Sequence, residues 1–284
     1  MNKFYIIENN KIIPEPSDTE KIRISNLKIP PNWKNVKINK NINGKVQVIG
    51  YDDKNREQRI YHSDWIEKAK REKYRNMNNL SKKYSEFDNI LDKYIRRKDL
   101  SKECVIANML KILMIFNIRI GSDIYFEENK TCGLCTLQKK NFKIIDNEYF
   151  LIFIGKKGIK HTKHVKNIKI KHFLEKMMKI KNDRLFCYVE NNEIFPIIST
   201  DLNNFLKINL GENFSAKDLR TYSANLLFKN YLKQFGKPHS ISYIHKNIRE
   251  AIRLTSEQLG NTSRVCKESY IDPKIINKYI IKYS

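Results

Sequence analysis

Residues 119 to 270 hold the side chains that an attack on a phosphodiester would need: Arg119, Lys156, Arg220, Asn261 and Tyr270. Tyr270 lies in LGNTSRVCKESYIDP, residues 259–273, in the company of Asn261, Arg264 and Lys267. A phenol ionises only near pH ~10, so a nucleophilic tyrosine needs positive charge beside it. Two guanidiniums can clamp the non-bridging oxygens of the transition state through fork-like hydrogen bonds, and a fixed amide donor such as Asn261 can add a third contact. The departing 5′ oxygen needs a proton, which a lysine of lowered pKa can give. That logic requires no metal, and the sequence offers no carboxylate cluster suited to hold one. Taken singly, each residue has a plainer reading. The arginines could be surface charges or ion pairs, Lys156 one solvated lysine among many, Asn261 part of a helix stop, and Tyr270 a core tyrosine.

The elements that must position these residues can be read from periodicity. Ser101 can cap a helix whose apolar positions Val105, Met109, Leu110, Leu113 and Phe116 share a face, ending near Gly121 with Arg119 at its C-terminal end. YFLIFIG (149–155), KKG and IKHTKHV (159–165) read as a hairpin with Lys156 at the turn. A helix opens near Asp218, with Arg220 in its first turn, and runs until shortly before Gly236. Another runs from about Asn247 to Leu259 and stops at Gly260, so that Asn261 and Tyr270 follow it.

Upstream the pattern differs. FYIIE (4–8), KIRIS (21–25), KVQVIGY (45–51) and QRIYHS (58–63) are short runs of β-type residues, broken by Pro14, Pro16, Pro30-Pro31 and Asn43-Gly44. The expected organisation is α+β: a small antiparallel β domain over 1–66, a linker over 67–75, and a mainly helical domain with a β-hairpin insert over 76–284.

Composition narrows the partner. Lys and Arg number 55 against 31 Asp and Glu, a net charge of +24 and a pI near 9.7, which favours a polyanion such as nucleic acid. The chain is also rich in Asn and Ile, so part of the lysine excess reflects compositional bias. Five scattered cysteines suit a reducing compartment rather than a disulfide framework. Cys132 and Cys135 form a lone CxxC without a second ligand pair, which reads as packing rather than zinc. The N-terminus is too polar for a signal peptide, and CVIANMLKILMIF (104–116) is too short to span a bilayer. An intracellular protein without a membrane segment is expected.

Four stretches together resemble the small type IB DNA topoisomerases of poxviruses, giant viruses and bacteria: FNIRIGSDIYFEENKTCGLCTLQKKNF (116–142), FIGKKGIKH (153–161), FSAKDLRTYSANLLF (214–228) and LGNTSRVCKESYIDP (259–273). The resemblance covers nearly the whole chain. It implies a β-rich N-terminal domain and a helical, tyrosine-recombinase-like catalytic domain that clamp double-stranded DNA, acting as a monomer without cofactor or ATP. It implies Tyr270 as the nucleophile forming a 3′-phosphotyrosyl link, Arg119 and Arg220 as stabilisers of the transition state, and Lys156 as the general acid. Asn261 falls where poxviral members have histidine and bacterial and some giant-virus members have asparagine, which places the chain nearer the latter branch.

DNA contacts follow from the same resemblance. REQRIYHSDW (56–65) matches the stretch that reaches into the major groove, with Gln58 and Tyr61 at contact positions and Arg59 where poxviral enzymes carry an aromatic residue. Ser122 replaces a base-touching lysine, and Tyr125 is retained. Lys157 and Lys217 complete the candidate DNA-binding set. These departures bear on site preference, while phosphate contacts imply steeply salt-dependent binding. Two other readings stand beside this one. A tyrosine recombinase or integrase shares the chemistry but usually carries His-x-x-Arg where this chain has Lys217-Asp218-Leu219-Arg220, and usually begins with a helical domain. A DNA-binding protein that has lost catalysis would look alike, except that all five catalytic positions hold competent residues. The resemblance implies a place in cytoplasm, nucleoid or virion.

Overall fold

The structure is a computed structural model that describes residues 3–8 and 11–284, and it divides into two compact units, one up to Lys73 and one from Tyr74 to Ser284. The first unit contains β1 (Phe4–Glu8), β2 (Lys11–Ile13), α1 (Asp18–Asn26), β3 (Lys34–Asn39), β4 (Val46–Tyr51) and β5 (Glu57–Tyr61). The strands form one antiparallel sheet in the order β2-β1-β3-β4-β5. Ile38 opposite Val48 fixes the register of β3 on β4, and with Val36 and Ile24 they form a small buried core. An antiparallel N-terminal sheet is therefore present as expected.

One expected strand is a helix. KIRIS lies inside α1, and the alternation that suggested a strand is overridden by a local start signal and distant partners. Ser17 caps the helix by accepting from the Glu20 amide, with Asp18 and Glu20 in the first turn. Arg23 then bonds Glu20, the Gln47 amide oxygen at 2.8 Å and the Asn39 carbonyl at 2.9 Å, tying α1 to β3 and β4. The third strand of the sheet, β3, gave no signal strong enough to be expected.

α2 (Ser63–Arg96) is one continuous helix of 34 residues, so 67–75, expected as a linker, is helical throughout. From Tyr74 on, Met77, Leu80, Phe87 and Leu91 fall three, four or seven residues apart on one face and are buried in the core of the second unit, with Tyr84 partly buried between them. That unit continues with α3 (Lys102–Phe116), α4 (Asp123–Asn129), β6 (Phe142–Ile145), β7 (Glu148–Ile154), β8 (Lys160–His164), α5 (Ile168–Met178), β9 (Cys187–Glu190) and β10 (Glu193–Pro196). It ends in α6 (Ser199–Leu210), α7 (Ala216–Gln234), α8 (Ile241–Leu259), α9 (Ser263–Ser269) and α10 (Pro273–Tyr283).

The expected hairpin is present as β7 and β8, joined by the single turn Lys156–Gly158, and β6 adds a third antiparallel strand that had not been foreseen. α3 is buried on nearly every side, which makes it the central rod of the helical core. It ends at Phe116 rather than near Gly121, because Asn117 adopts the left-handed conformation (φ 53°) that asparagine tolerates. α8 starts at Ile241, earlier than the sequence pattern marked. A second apolar cluster, including Phe228, Ile248, Ile252, Leu259, Cys266 and Ile271, packs α7, α8, α9 and α10 together.

Candidate active site

Tyr270 follows the stop of α8, as expected, and is the C-terminal cap of a further short helix, α9, that the sequence pattern does not mark. α9 is set in motion by Gly260, which terminates α8 in the left-handed conformation at φ 60°, and by Thr262, whose hydroxyl accepts from the Val265 amide. The peptide that carries the phenol is then gripped on both sides. The Cys266 carbonyl accepts from the Tyr270 and Ile271 amides. Buried Asn225, on α7, donates to the Tyr270 carbonyl at 2.7 Å and accepts from the Asp272 amide at 2.8 Å. The Tyr74 hydroxyl donates to the Ile271 carbonyl at 2.6 Å.

Arg220 is the hub. It sits in the second turn of α7 rather than the first, since Ser215 is the N-cap residue and donates from its amide and its hydroxyl to Asp218 Oδ2. Only 4 % exposed, it donates from each of its three nitrogens: Nε to the Asn117 carbonyl at 2.8 Å, Nη2 to the Leu259 carbonyl at 2.7 Å, and Nη1 to the Tyr270 hydroxyl at 2.6 Å. Its carbon lies 5.1 Å from the centre of the Tyr270 ring. Burial, and after it the like charge of Arg119, pushes the Arg220 pKa down, while the Tyr270 oxygen opposes that shift. A guanidinium still carries its charge at neutral pH under such a shift.

Arg119 lies on the extended segment after α3, and its Nη2 donates to Asn261 Oδ1 at 2.5 Å. The segment is pinned by backbone bonds: the Arg119 carbonyl accepts from Leu134, the Ile120 carbonyl from Cys135, and the Cys132 amide reaches Ile154 on β7. Here glycine is required, because a Cβ on Gly133 would stand 2.4 Å from the Gly121 Cα. The CxxC pair thus serves through its backbone, with Cys135 buried and its thiol pushed up to about 12 by burial. Asn261 Nδ2 is buried and lacks a hydrogen-bond partner among the described residues. A donor left in that condition invites an acceptor from outside the chain.

The structure therefore brings together Arg119, Arg220, Asn261 and Tyr270. Lys156 stands apart from these bonds, exposed at the start of the β7–β8 turn, with Lys157 next to it in the left-handed conformation at φ 64°. Lys217 is exposed in the first turn of α7. Ser122 caps α4 without a side-chain bond, and Tyr125 projects from α4. On β5, Arg59 and Tyr61 alternate onto one face and interact, with Arg59 also paired to Glu57, while Gln58 faces the other way and donates to Asp52.

Several residues of the site were not singled out from the sequence: Asn225, Asn117, Tyr74, His161 and Lys163. Burial lowers the pKa of His161 to about 4, with Lys163, Arg119 and Arg220 adding positive charge around it. It lowers that of Lys163 to about 8, with Arg220 adding repulsion. The one local signal was the inward parity of β8, where His161 and Lys163 occupy alternate positions that a bare hydrophobic pattern would fill with apolar residues.

Residues 62–283 match the family described as eukaryotic DNA topoisomerase I, catalytic core, and residues 5–52 match the bacterial DNA topoisomerase IB N-terminal domain. The DNA topoisomerase 1B of Acanthamoeba polyphaga mimivirus is 33% identical over 276 residues, covering 94% of this chain and 81% of the relative. The DNA topoisomerase 1B of Vaccinia virus (strain Copenhagen) is 25% identical over 237 residues, covering 80% and 70%. Among solved structures, XerH site-specific recombinase bound to a palindromic difH substrate overlaps 67% of this chain and 49% of its own, with 18% identity and a TM-score of 0.42.

Proposed function

The chain belongs to the type IB DNA topoisomerases, and on that premise we propose how its own residues relax supercoiled duplex DNA. The observation that carries the reading is the Arg220 guanidinium held 2.6 Å from the Tyr270 oxygen, with Arg119 and Asn261 beside it. Tyr270 Oη loses its proton to solvent, its negative charge met by the Arg220 guanidinium, and attacks a backbone phosphorus. The new P–O bond leaves the DNA 3′ end attached to the enzyme, and the bond from phosphorus to the 5′ oxygen breaks. Lys156 supplies the proton that this oxygen takes up, and recovers one when the 5′ hydroxyl returns to reseal the strand.

Arg119 and Arg220 lie against the non-bridging oxygens, where negative charge grows in the transition state, and Asn261 Nδ2 donates the third contact. Both guanidiniums are already fixed by protein bonds, so little reorganisation is needed as that charge appears. Between cleavage and resealing, the cut duplex end turns about the intact strand and supercoils relax. The phosphotyrosyl link retains the energy of the broken bond, so the cycle does not draw on ATP.

Gln58, Arg59 and Tyr61 from the first unit and Ser122, Tyr125, Lys157 and Lys217 from the second are proposed DNA contacts. The chain is read as an intracellular monomer; among the described residues no helix is long and apolar enough to cross a membrane. The deciding experiment is relaxation of supercoiled plasmid in EDTA without ATP, wild type against Tyr270→Phe. Relaxation by the wild type alone supports the reading. Equal relaxation by Tyr270→Phe would remove Tyr270 as nucleophile, and strand exchange between two sites without relaxation would indicate a recombinase.

A further inference from the structure

Two polar side chains on the inward face of β8 connect parts of the site that are far apart in sequence. His161 is 8 % and Lys163 7 % exposed. The His161 ring stacks on Phe153 of β7 with centres 4.8 Å apart. It fills the space that a Cβ would take at two glycines at once, 2.7 Å from that position at Gly155 and 2.3 Å at Gly260. Gly155 immediately precedes Lys156, and Gly260 immediately precedes Asn261. The imidazole is thus wedged between the backbone leading into the proposed proton donor and the backbone leading into the proposed amide donor.

Lys163 makes the second link. Its Nζ donates to the Gln258 carbonyl at 2.6 Å, one residue before the Leu259 carbonyl that Arg220 holds. Among the described residues no carboxylate pairs with this ammonium, and Arg220 adds a like charge. A buried ammonium in that setting is unfavourable for stability on its own account. What it gives in return is a tie between the hairpin and the end of α8. That end is held independently, by Arg220 on Leu259 and by the Asn261 amide on the Ser256 carbonyl. Cutting the tie would therefore release the hairpin more than it would release α8.

We infer that His161 and Lys163 are positioning residues that fix the Lys156 hairpin against the anchored end of α8, His161 as spacer and Lys163 as tie. The inference rests on reading Lys156 as the proton donor. Lys163 touches no reacting atom in this scheme; it acts by keeping Lys156 within reach of the leaving oxygen. A displacement of about 1 Å in a catalytic group can slow a reaction about a hundredfold.

The test is single-turnover cleavage of a duplex carrying a site first mapped with the wild-type enzyme. It is made with the natural 5′ oxygen and again with sulfur in that position, since a thiolate leaves without needing a proton. Lys163→Met removes the tie at nearly constant volume. Lys163→Gln removes it with a polar side chain one bond too short, so it serves if the Met variant melts early. Both are expected to cleave the oxygen substrate about tenfold to a hundredfold more slowly and to recover most of that loss on the sulfur substrate, with DNA affinity unchanged. Lys156→Ala runs in parallel and is expected to show the same recovery. Wild-type rates in the folded Lys163 variants would overturn the inference, as would an equal slowing on both substrates while Lys156→Ala recovers. If Lys156→Ala itself fails to recover, the proton-donor reading falls and the inference falls with it.

Discussion

The Arg220–Tyr270 corner and the Lys156 turn serve the same proposed reaction but are built in opposite ways. In the corner, all three guanidinium nitrogens of Arg220 donate to a fixed partner, and the Tyr270 peptide is held by Asn225 and Tyr74. At the turn, Lys156 is exposed, and among the described residues its side chain makes no hydrogen bond or ion pair. The difference follows the chemistry. Charge that grows on a phosphate is best met by dipoles already in place, whereas a proton donor must approach the leaving oxygen and then take the proton back. The fold makes the electrostatic half rigid. The acid–base half rests on a short turn steadied from below by His161.

That contrast can be tested by substitutions on either side. The largest effect is expected at the turn: Lys156→Ala should slow cleavage by about 10²–10⁴-fold, the range of general acid catalysis, while thermal melting stays at the wild-type temperature. A clear fall in melting temperature would mean that Lys156 is part of the packed structure, and the contrast would be lost. Arg220→Lys should slow cleavage by about 10²–10³-fold and also lower stability by about 1–3 kcal/mol, since an ammonium cannot reach Asn117, Leu259 and Tyr270 together. Unchanged stability by urea melting would show that the corner is looser than its bonds imply.

The smallest effect sharpens the comparison through pH. Lys163 ties the hairpin that carries the turn to the end of α8, and burial holds its pKa at about 8 against an ordinary 10.5. Between those values the unfolded chain binds more protons at this position than the folded one, so its contribution to stability improves as pH rises from 8 towards 10.5. Relative to Lys163→Met, which cannot titrate, the wild type should gain on the order of 2 kcal/mol across that window, read from urea melts at both ends. Parallel curves for the two proteins would place Lys163 in a wetter setting than its burial indicates.

Much of this architecture was legible locally. Gly260 as the stop of α8, Ser101 ahead of α3 and the β7–β8 hairpin follow from signals a few residues long. The first unit was harder to read. KIRIS alternates like a strand, yet Ser17 and the bonds from Arg23 to Gln47 and Asn39 make it a helix. Residue type and spacing place Arg119 and Arg220 near helix ends, but each lies about a turn from its expected place. The actual boundaries depend on Asn117 turning left-handed and Ser215 taking the cap.

The sequence by itself determined the strongly basic character, the helical periodicity of the second unit and the four motifs that resemble a known family. It also determined which residue types are present to do the chemistry, since those properties are carried by neighbours along the chain. Only the tertiary structure decided which of them meet. Arg119 reaches Asn261 across 142 positions, Arg220 reaches Tyr270 across 50, and Lys163 reaches Gln258 across 95. Contacts at such separations depend on how α3, α7, α8 and the hairpin pack, and packing is set by the whole core rather than by any one segment.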